Sequence, residues 1–176
     1  MIWLARHGET AYNAERRFQG QGGVPLSPRG IEQARELAEH AAAHGFASLW
    51  SSPLPRARQT AEVVGERLGL AIRDEPRLME TDAGDWTDRP FKEIEEEDPE
   101  RFAGFVAGDP AFAFPGGESF RGQQVRVIAA LEEIRAAGPL PALVICHRNS
   151  IRLALEGAQG RRLALDEVPN GALVAL

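Results

Sequence analysis

With 176 residues, 43% of them hydrophobic and 26% charged, the chain is long enough for one domain whose core needs no disulfide staple, and no apolar run approaches a bilayer-spanning length. A formal net charge of -6 works against nonspecific binding to nucleic acid or anionic membrane, both of which need an excess of positive field. One cysteine, Cys146, leaves neither an internal disulfide framework nor a multi-cysteine zinc site, and the start MIWLARHG carries no basic leader, long apolar stretch or small-residue cleavage site, so a cytoplasmic protein is expected.

In chain order, residues 2 to 6 form a short apolar run ending at polar residues and Gly8, which suits a buried strand entering a loop. Ser27 and Pro28 then supply a capping residue and a proline for the first helical position, and Ile31, Ala34, Leu37, Ala38 and Ala41 recur at helical spacing up to Gly45. FASLWSS reads as a second strand. Ser52 and Pro53 repeat the start signal, and Ala57, Thr60, Ala61, Val64 and Leu68 make one apolar stripe that stops at Gly69. Residues 84 to 117, with Pro90, Pro99, Pro110, Pro115 and the acidic run EIEEEDPE, are expected to be an irregular, cap-like excursion over one end of a sheet, with Trp86, Phe112 and Phe114 packing it down on that sheet in preference to the alternative, contact with an organic moiety of a ligand. A long helix from about Glu118 to Ala137 precedes PALVICH, a third strand; another helix is expected from Asn149, and GALVAL closes the chain as a last strand. Alternation of this kind predicts an α/β fold, a three-layer α/β/α sandwich on a mostly parallel sheet within a single domain over 1–176, with ligands beyond the carboxyl ends of the strands.

His7 and His147 both fall at such strand exits, and each has an arginine beside it, Arg6 and Arg148, while Arg56 opens the helix after the second strand. A histidine at a strand end is commonly structural, but three strand ends delivering imidazoles and cations to one edge fit a phosphoryl group. Adjacent guanidinium charge keeps an imidazole neutral and nucleophilic, and guanidinium forks hold phosphate in bidentate fashion. In that arrangement Arg6 holds the phosphate for His7, and Gly8 lets backbone approach the ring or the ligand without a Cβ between.

These segments resemble the histidine phosphatase superfamily, the phosphoglycerate mutase-like proteins. RHGET with Asn13 is similar to the family's RHGxT segment and following asparagine; RRFQG and VPLSPRGIEQA to its RxQG and PLTxxGxxQA stretches; SSPLPRARQTAE to its second block; LMETDAGDW to its acid-bearing segment; FPGGES to its PGGES turn. VICHRNSIR stands where the family has a VxSHGGxIR-like string. The resemblance implies that His7 forms a phosphohistidine, that His147 stabilises the transferring group, that Arg6 and Arg56 clamp phosphate, that Asn13, Gln19 and Gly20 line the pocket, and that Glu80, rather than nearby Asp82, protonates the leaving oxygen and activates water. It implies no metal and no cofactor, and a small-molecule phosphate ester as substrate; Asp82, Asp85 and Asp88 are read as an exposed acidic loop.

Two positions depart from the pattern. Gly23 stands where the family commonly has aspartate, and Arg148 replaces the glycine after the second histidine. Arg148 is open to three readings: a further clamp for a more anionic substrate, a side chain turned away to cap a helix, or an obstruction. The function expected is a metal-independent phosphomonoesterase. Its alternatives are a phosphoglycerate-type mutase, disfavoured by an excursion of only about thirty residues, a phospholigand-binding module without turnover, and a cysteine-dependent phosphatase using Cys146 and Arg152 in CHRNSIR, which satisfies C-x5-R. Nothing in these features encodes oligomeric state.

Overall fold

The computed structural model describes residues 1–176. In chain order its elements are β1 (Ile2–Arg6), α1 (Ala11–Ala14), α2 (Pro28–Ala42), β2 (Ser48–Ser51), α3 (Pro55–Leu68), β3 (Ile72–Asp74), α4 (Phe91–Glu97), α5 (Pro99–Ala107), α6 (Phe120–Ala137), β4 (Ala142–Cys146), α7 (Arg148–Gln159) and β5 (Leu173–Ala175), with short 3-10 turns at Pro76–Leu78 and Gly84–Trp86. The sheet runs β3-β2-β4-β1-β5. All pairings are parallel except that of β5, which lies antiparallel on β1.

Two apolar layers sandwich this sheet. Leu37, Ala38 and Ala41 of α2 and Ala57, Ala61 and Val64 of α3 pack with Ala5, Leu49, Leu143 and Ile145 on one face. On the other, Val127, Leu131 and Ile134 of α6 and Ile151, Ala154 and Leu155 of α7 pack with Ile2, Leu4, Val144 and Cys146. Side chains of successive strand residues alternate between faces, so β1 and β4 feed both cores and read as continuous apolar runs. No helix is long and apolar enough to cross a membrane.

Register positions the site. Arg6 pairs with Cys146 and Ser51 with Ile145, so β1, β4 and β2 end level with one another. The next residues, His7, His147 and Ser52, emerge together; the His7 N–H donates to the Cys146 carbonyl at 3.1 Å and the Ser52 N–H to that of Ile145 at 3.0 Å.

Local chemistry explains where sequence and structure part. Helix α2 starts as expected, with the Ser27 hydroxyl accepting from the Gly30 N–H at 3.1 Å. Helix α3 starts two residues later than the Ser52-Pro53 signal, at Pro55, because the Ser52 hydroxyl is engaged with His147 and Leu54 becomes the N-cap. Strand β3 went unread: three residues, only Ile72 among them partly buried, give no alternation to detect.

The excursion at 84–117 is a correction. It holds two helices, and Asp98 caps α5 by accepting from the Arg101 N–H at 3.1 Å while Gly108 ends it in the left-handed conformation. Its aromatics do not lie on the sheet but form a separate core: Trp86, Ile94, Phe102, Phe105, Phe112 and Phe114 bury one another with Phe18, Phe120 and Leu153. Phe18 and Phe105 rings sit 5.0 Å apart and Phe112 and Phe120 rings 4.8 Å apart, spacings at which aromatic pairs attract beyond their buried area.

Gly8 is a second correction. Its missing Cβ makes room for α2, not for a ligand: a Cβ there would lie 2.2 Å from the Gly30 carbonyl oxygen, and one on Gly30 would lie 2.0 Å from that of Glu9. Both contacts are backbone and cannot yield by rotamer. Gly8→Ala is therefore expected to cost about 1–3 kcal/mol of stability by overpacking, read as a lower urea midpoint at unchanged slope.

Candidate active site

A cleft of about 390 Å³ opens above the carboxyl ends of β1, β2 and β4, between the sheet and the aromatic cap. Arg6, His7, Asn13, Gln19, Gly20, Arg56, Glu80 and Arg148 all line it. His147 does not; it lies fully buried against His7, ring centroids 5.1 Å apart.

His7 follows β1 and has its tautomer fixed by the backbone. Its Nδ1 lies 2.6 Å from the Gly8 carbonyl oxygen. A carbonyl only accepts, so Nδ1 carries the proton and Nε2 keeps its lone pair. Burial, then the positive charges of Arg56 and Arg6, hold the ring well below the ordinary histidine range, outweighing the Gly8 bond. His147 is fixed from the other side. Its Nε2 lies 2.8 Å from the Ser52 hydroxyl, whose proton has no other acceptor, so Ser52 donates and the ring proton sits on Nδ1, which has no protein partner. Burial, then Arg56 and His7, hold this ring too well below its ordinary value.

Both depressions carry a stability consequence. An unfolded histidine takes its proton near pH 6.5 and the folded ones do not, so below that pH the unfolded chain binds more protons and folding is penalised. Stability is fully present above about pH 6.5 and falls as the medium is acidified, each ring contributing up to about 1.4 kcal/mol per pH unit. Urea midpoints between pH 7.5 and 5 should show this loss, and His147→Gln should remove about half of that part of the slope.

Arg56 extends from the first turn of α3 and is 1% exposed. Its two terminal nitrogens donate to the Gly22 and Gly20 carbonyls, both at 2.8 Å, and Gly20 holds φ +49 to present its oxygen, with no room for a Cβ beside Ala83. Arg6 donates through Nη1 to the Val168 carbonyl at 2.6 Å. Burial lowers Arg56 to about 10, and burial with Arg148 lowers Arg6 to about 9, which leaves both cationic at neutral pH. Four of the five buried polar side-chain atoms without a partner in the whole molecule belong to this group: Arg6 Nε, Arg56 Nε, Arg148 Nε and His147 Nδ1.

Glu80 is half-buried at the opposite wall. One oxygen accepts from the Thr81 N–H at 2.9 Å and from Gln123 Nε2 at 3.2 Å, the other from the Asn149 N–H at 3.4 Å. Asp82 is exposed and bound to its own turn through the Gly84 N–H at 3.0 Å, so of these two it is Glu80 that the fold brings to the cleft. No three His, Cys, Asp or Glu side chains gather into a metal-binding group, Asp82, Asp85 and Asp88 included. Asn13 stands at the third position of α1 in a capping box with Thr10, and Gln19 accepts the Thr10 hydroxyl at 2.7 Å.

Asn170 was missed by sequence reasoning. Its amide donates to the His7 carbonyl at 3.0 Å and to Asn13 at 3.2 Å; the signal available was the Asn170-Gly171 pair, a turn former before a short strand, with Gly171 at φ +77. Gln123 and Thr81, hydrogen-bonded to each other beside Glu80, gave no signal at all.

Cys146 is not at the site. Its side chain belongs to the core beneath the sheet, burial pushes its thiol far above the ordinary range, and Arg152 does not line the cleft and spends its donors on Leu163, Val106 and Asn149. The C-x5-R spacing is therefore coincidental. Cys146→Ser should leave turnover within about twofold while lowering stability by about 1–3 kcal/mol, the cost of a buried hydroxyl.

The chain belongs to the histidine phosphatase superfamily (branch 1), whose family model matches residues 2–175. Among relatives, a probable phosphoglycerate mutase GpmB of Enterobacter sp. (strain 638) is 39% identical over 132 residues, covering 75% of this chain and 61% of that one, so the chain spans about three fifths of the curated relative's length. Among solved structures, a mycobacterial glucosyl-3-phosphoglycerate phosphatase complexed with VO3 aligns with a TM-score of 0.87 at 30% identity, over 98% of this chain and 90% of that one. A putative alpha-ribazole-5'-P phosphatase from Escherichia coli aligns with a TM-score of 0.77 at 28% identity, over 98% and 87%.

Proposed function

We propose that the chain is a phosphomonoesterase that hydrolyses a small-molecule phosphate ester through a phosphohistidine on His7. The observation that carries this reading is the bare Nε2 of His7, held neutral by its Nδ1 bond to Gly8 and set among guanidinium groups whose inner N–H donors have no protein acceptor.

In the first step the Nε2 lone pair attacks phosphorus, the ester P–O bond breaks, and the leaving oxygen takes the proton of the Glu80 carboxylic acid. In the second, a water oxygen attacks phosphorus and gives its proton to the Glu80 carboxylate, and the N–P pair returns to Nε2, releasing phosphate. Arg6 and Arg56 hold the equatorial oxygens on which charge is spread, and the His147 Nδ1–H adds a neutral donor. At ~4 Å and an effective dielectric of ~20, each cation–anion pair gains roughly 4 kcal/mol before desolvation. The donors are preorganised by Gly20, Gly22 and Val168, so little rearrangement is needed as the transition state forms.

A mutase is the second reading, favoured by the names of the curated relatives. A panel of phosphate esters assayed for phosphate release, with 3-phosphoglycerate followed for isomerisation, separates the two. Release should outpace interconversion; the opposite order assigns a mutase, and saturable binding without either assigns a binding module.

A further inference from the structure

We propose that the cleft contains a second anion-binding position, built by Arg148 and Arg16 at its cap side, and that the substrate is therefore a phosphate ester carrying a second anionic oxygen group, a carboxylate or another phosphate. The proposal rests on the phosphatase reading for its first position and on different residues for its second.

The cleft is far more cationic than the chain. Five guanidinium groups line it, those of Arg6, Arg16, Arg17, Arg56 and Arg148, against the carboxylates of Glu80 and Asp166, in a protein of net charge -6. Arg6 and Arg56 are tied to backbone carbonyls beside His7. Arg17 is compensated, donating to Glu15 at 2.7 Å and to the Asp88 carbonyl at 2.8 Å. Asp166 is exposed.

Arg148 differs from all of these. It is the first residue of α7, directly after His147, and its side chain neither turns away nor caps a helix. Its guanidinium carbon lies 6.0 Å from the Phe91 ring centroid, which fixes the planar fork against the cap while its edge lines the cleft. It donates no hydrogen bond to protein and forms no ion pair, and its Nε is sequestered from solvent without a partner. Arg152, four residues on and equally cationic, donates from all three of its nitrogens to protein acceptors. A sequestered donor with no acceptor costs about 1–3 kcal/mol, a cost that an anionic ligand removes.

Arg16 faces the same space from the other side. It is one of two non-glycine residues at positive φ, 55°, and its carbonyl accepts from the N–H of Phe91, the residue under Arg148, at 2.8 Å. Strain of that kind persists where surrounding contacts enforce it, commonly at functional sites. The Arg16 side chain is exposed and unpaired, and its charge is felt at Arg148. Two cations that line one cleft with no acceptor or counter-charge from the protein favour an anion there over any neutral group.

The test uses non-hydrolysable alkylphosphonates of two to four carbons ending in a methyl, a carboxylate or a second phosphonate, titrated calorimetrically into the full chain. Wild type should bind a two-anion member at least tenfold more tightly than its methyl counterpart, the carboxylate and phosphonate arms telling which anion is preferred. Arg148→Gln should abolish that ratio, Arg16→Gln should reduce it, and Arg148→Lys should keep part of it. Equal binding of one- and two-anion ligands at every length, or a ratio unchanged in both Arg148→Gln and Arg16→Gln, overturns the proposal. The exposed Arg16 gives a variant whose folding is not in question. Absence of phosphate release from every ester would defeat the phosphatase reading yet leave the binding ratio intact, so the two fail separately.

Discussion

Replacing His7 by alanine is expected to abolish phosphate release, lowering kcat/KM by about 10⁵ or more, because the proposed mechanism makes His7 the nucleophile, the one group whose removal ends the covalent route outright. The ring is 2% exposed and makes a single side-chain hydrogen bond, to the backbone of the next residue. Its loss leaves Arg6, Arg56 and their carbonyl partners in place, so phosphate affinity should persist within about tenfold while turnover vanishes. Measured together, inorganic phosphate binding and ester hydrolysis separate removal of the nucleophile from collapse of the site.

Arg56→Lys carries the second large effect and tests geometry rather than charge. The guanidinium spans the Gly20 and Gly22 carbonyls with its terminal nitrogens and leaves Nε without a protein partner, which the proposed mechanism assigns to the phosphoryl group. An ammonium retains the cation but cannot serve three directions at fixed angles. Loss of oriented transition-state donors costs about 2.7–4 kcal/mol, a fall of about 10²–10³ in kcat, and a carbonyl left unsatisfied beneath the cleft adds about 1–3 kcal/mol of lost stability. A rise in KM at unchanged kcat would instead mean that Arg56 serves substrate binding without favouring the transition state.

The sheet and the two imidazoles were legible because their signals are short-range: apolar runs for β1 and β4, Ser27-Pro28 before α2, and a histidine at each strand exit. What converts them into one site is register, the level ending of three strands, which parallel pairing supplies and no local motif states. Residues acting at a distance were unreadable for the same reason. Ser52 resembled a helix cap, yet its hydroxyl orients His147 from 95 positions away; Gly8 seemed to clear space for a ligand, yet its neighbour is Gly30. The cap misled through composition: prolines and acidic residues dominate 84–117, while the aromatic spacing that builds its core closes only with Phe18 and Phe120 from outside it. Arg148 stood out as a departure, but its direction was set by Phe91, whose place over α7 only the fold reveals.

The most direct test of a neutral, phosphate-accepting imidazole at position 7 is acid-avoiding quench of turnover with an ester labelled in its phosphoryl group, followed by peptide mapping under alkaline conditions. Label on Nε2 of His7, appearing and decaying at rates compatible with kcat, is the predicted result. Label on His147, Cys146 or any carboxylate, or turnover with no labelled protein under conditions that trap phosphohistidine, would contradict the account.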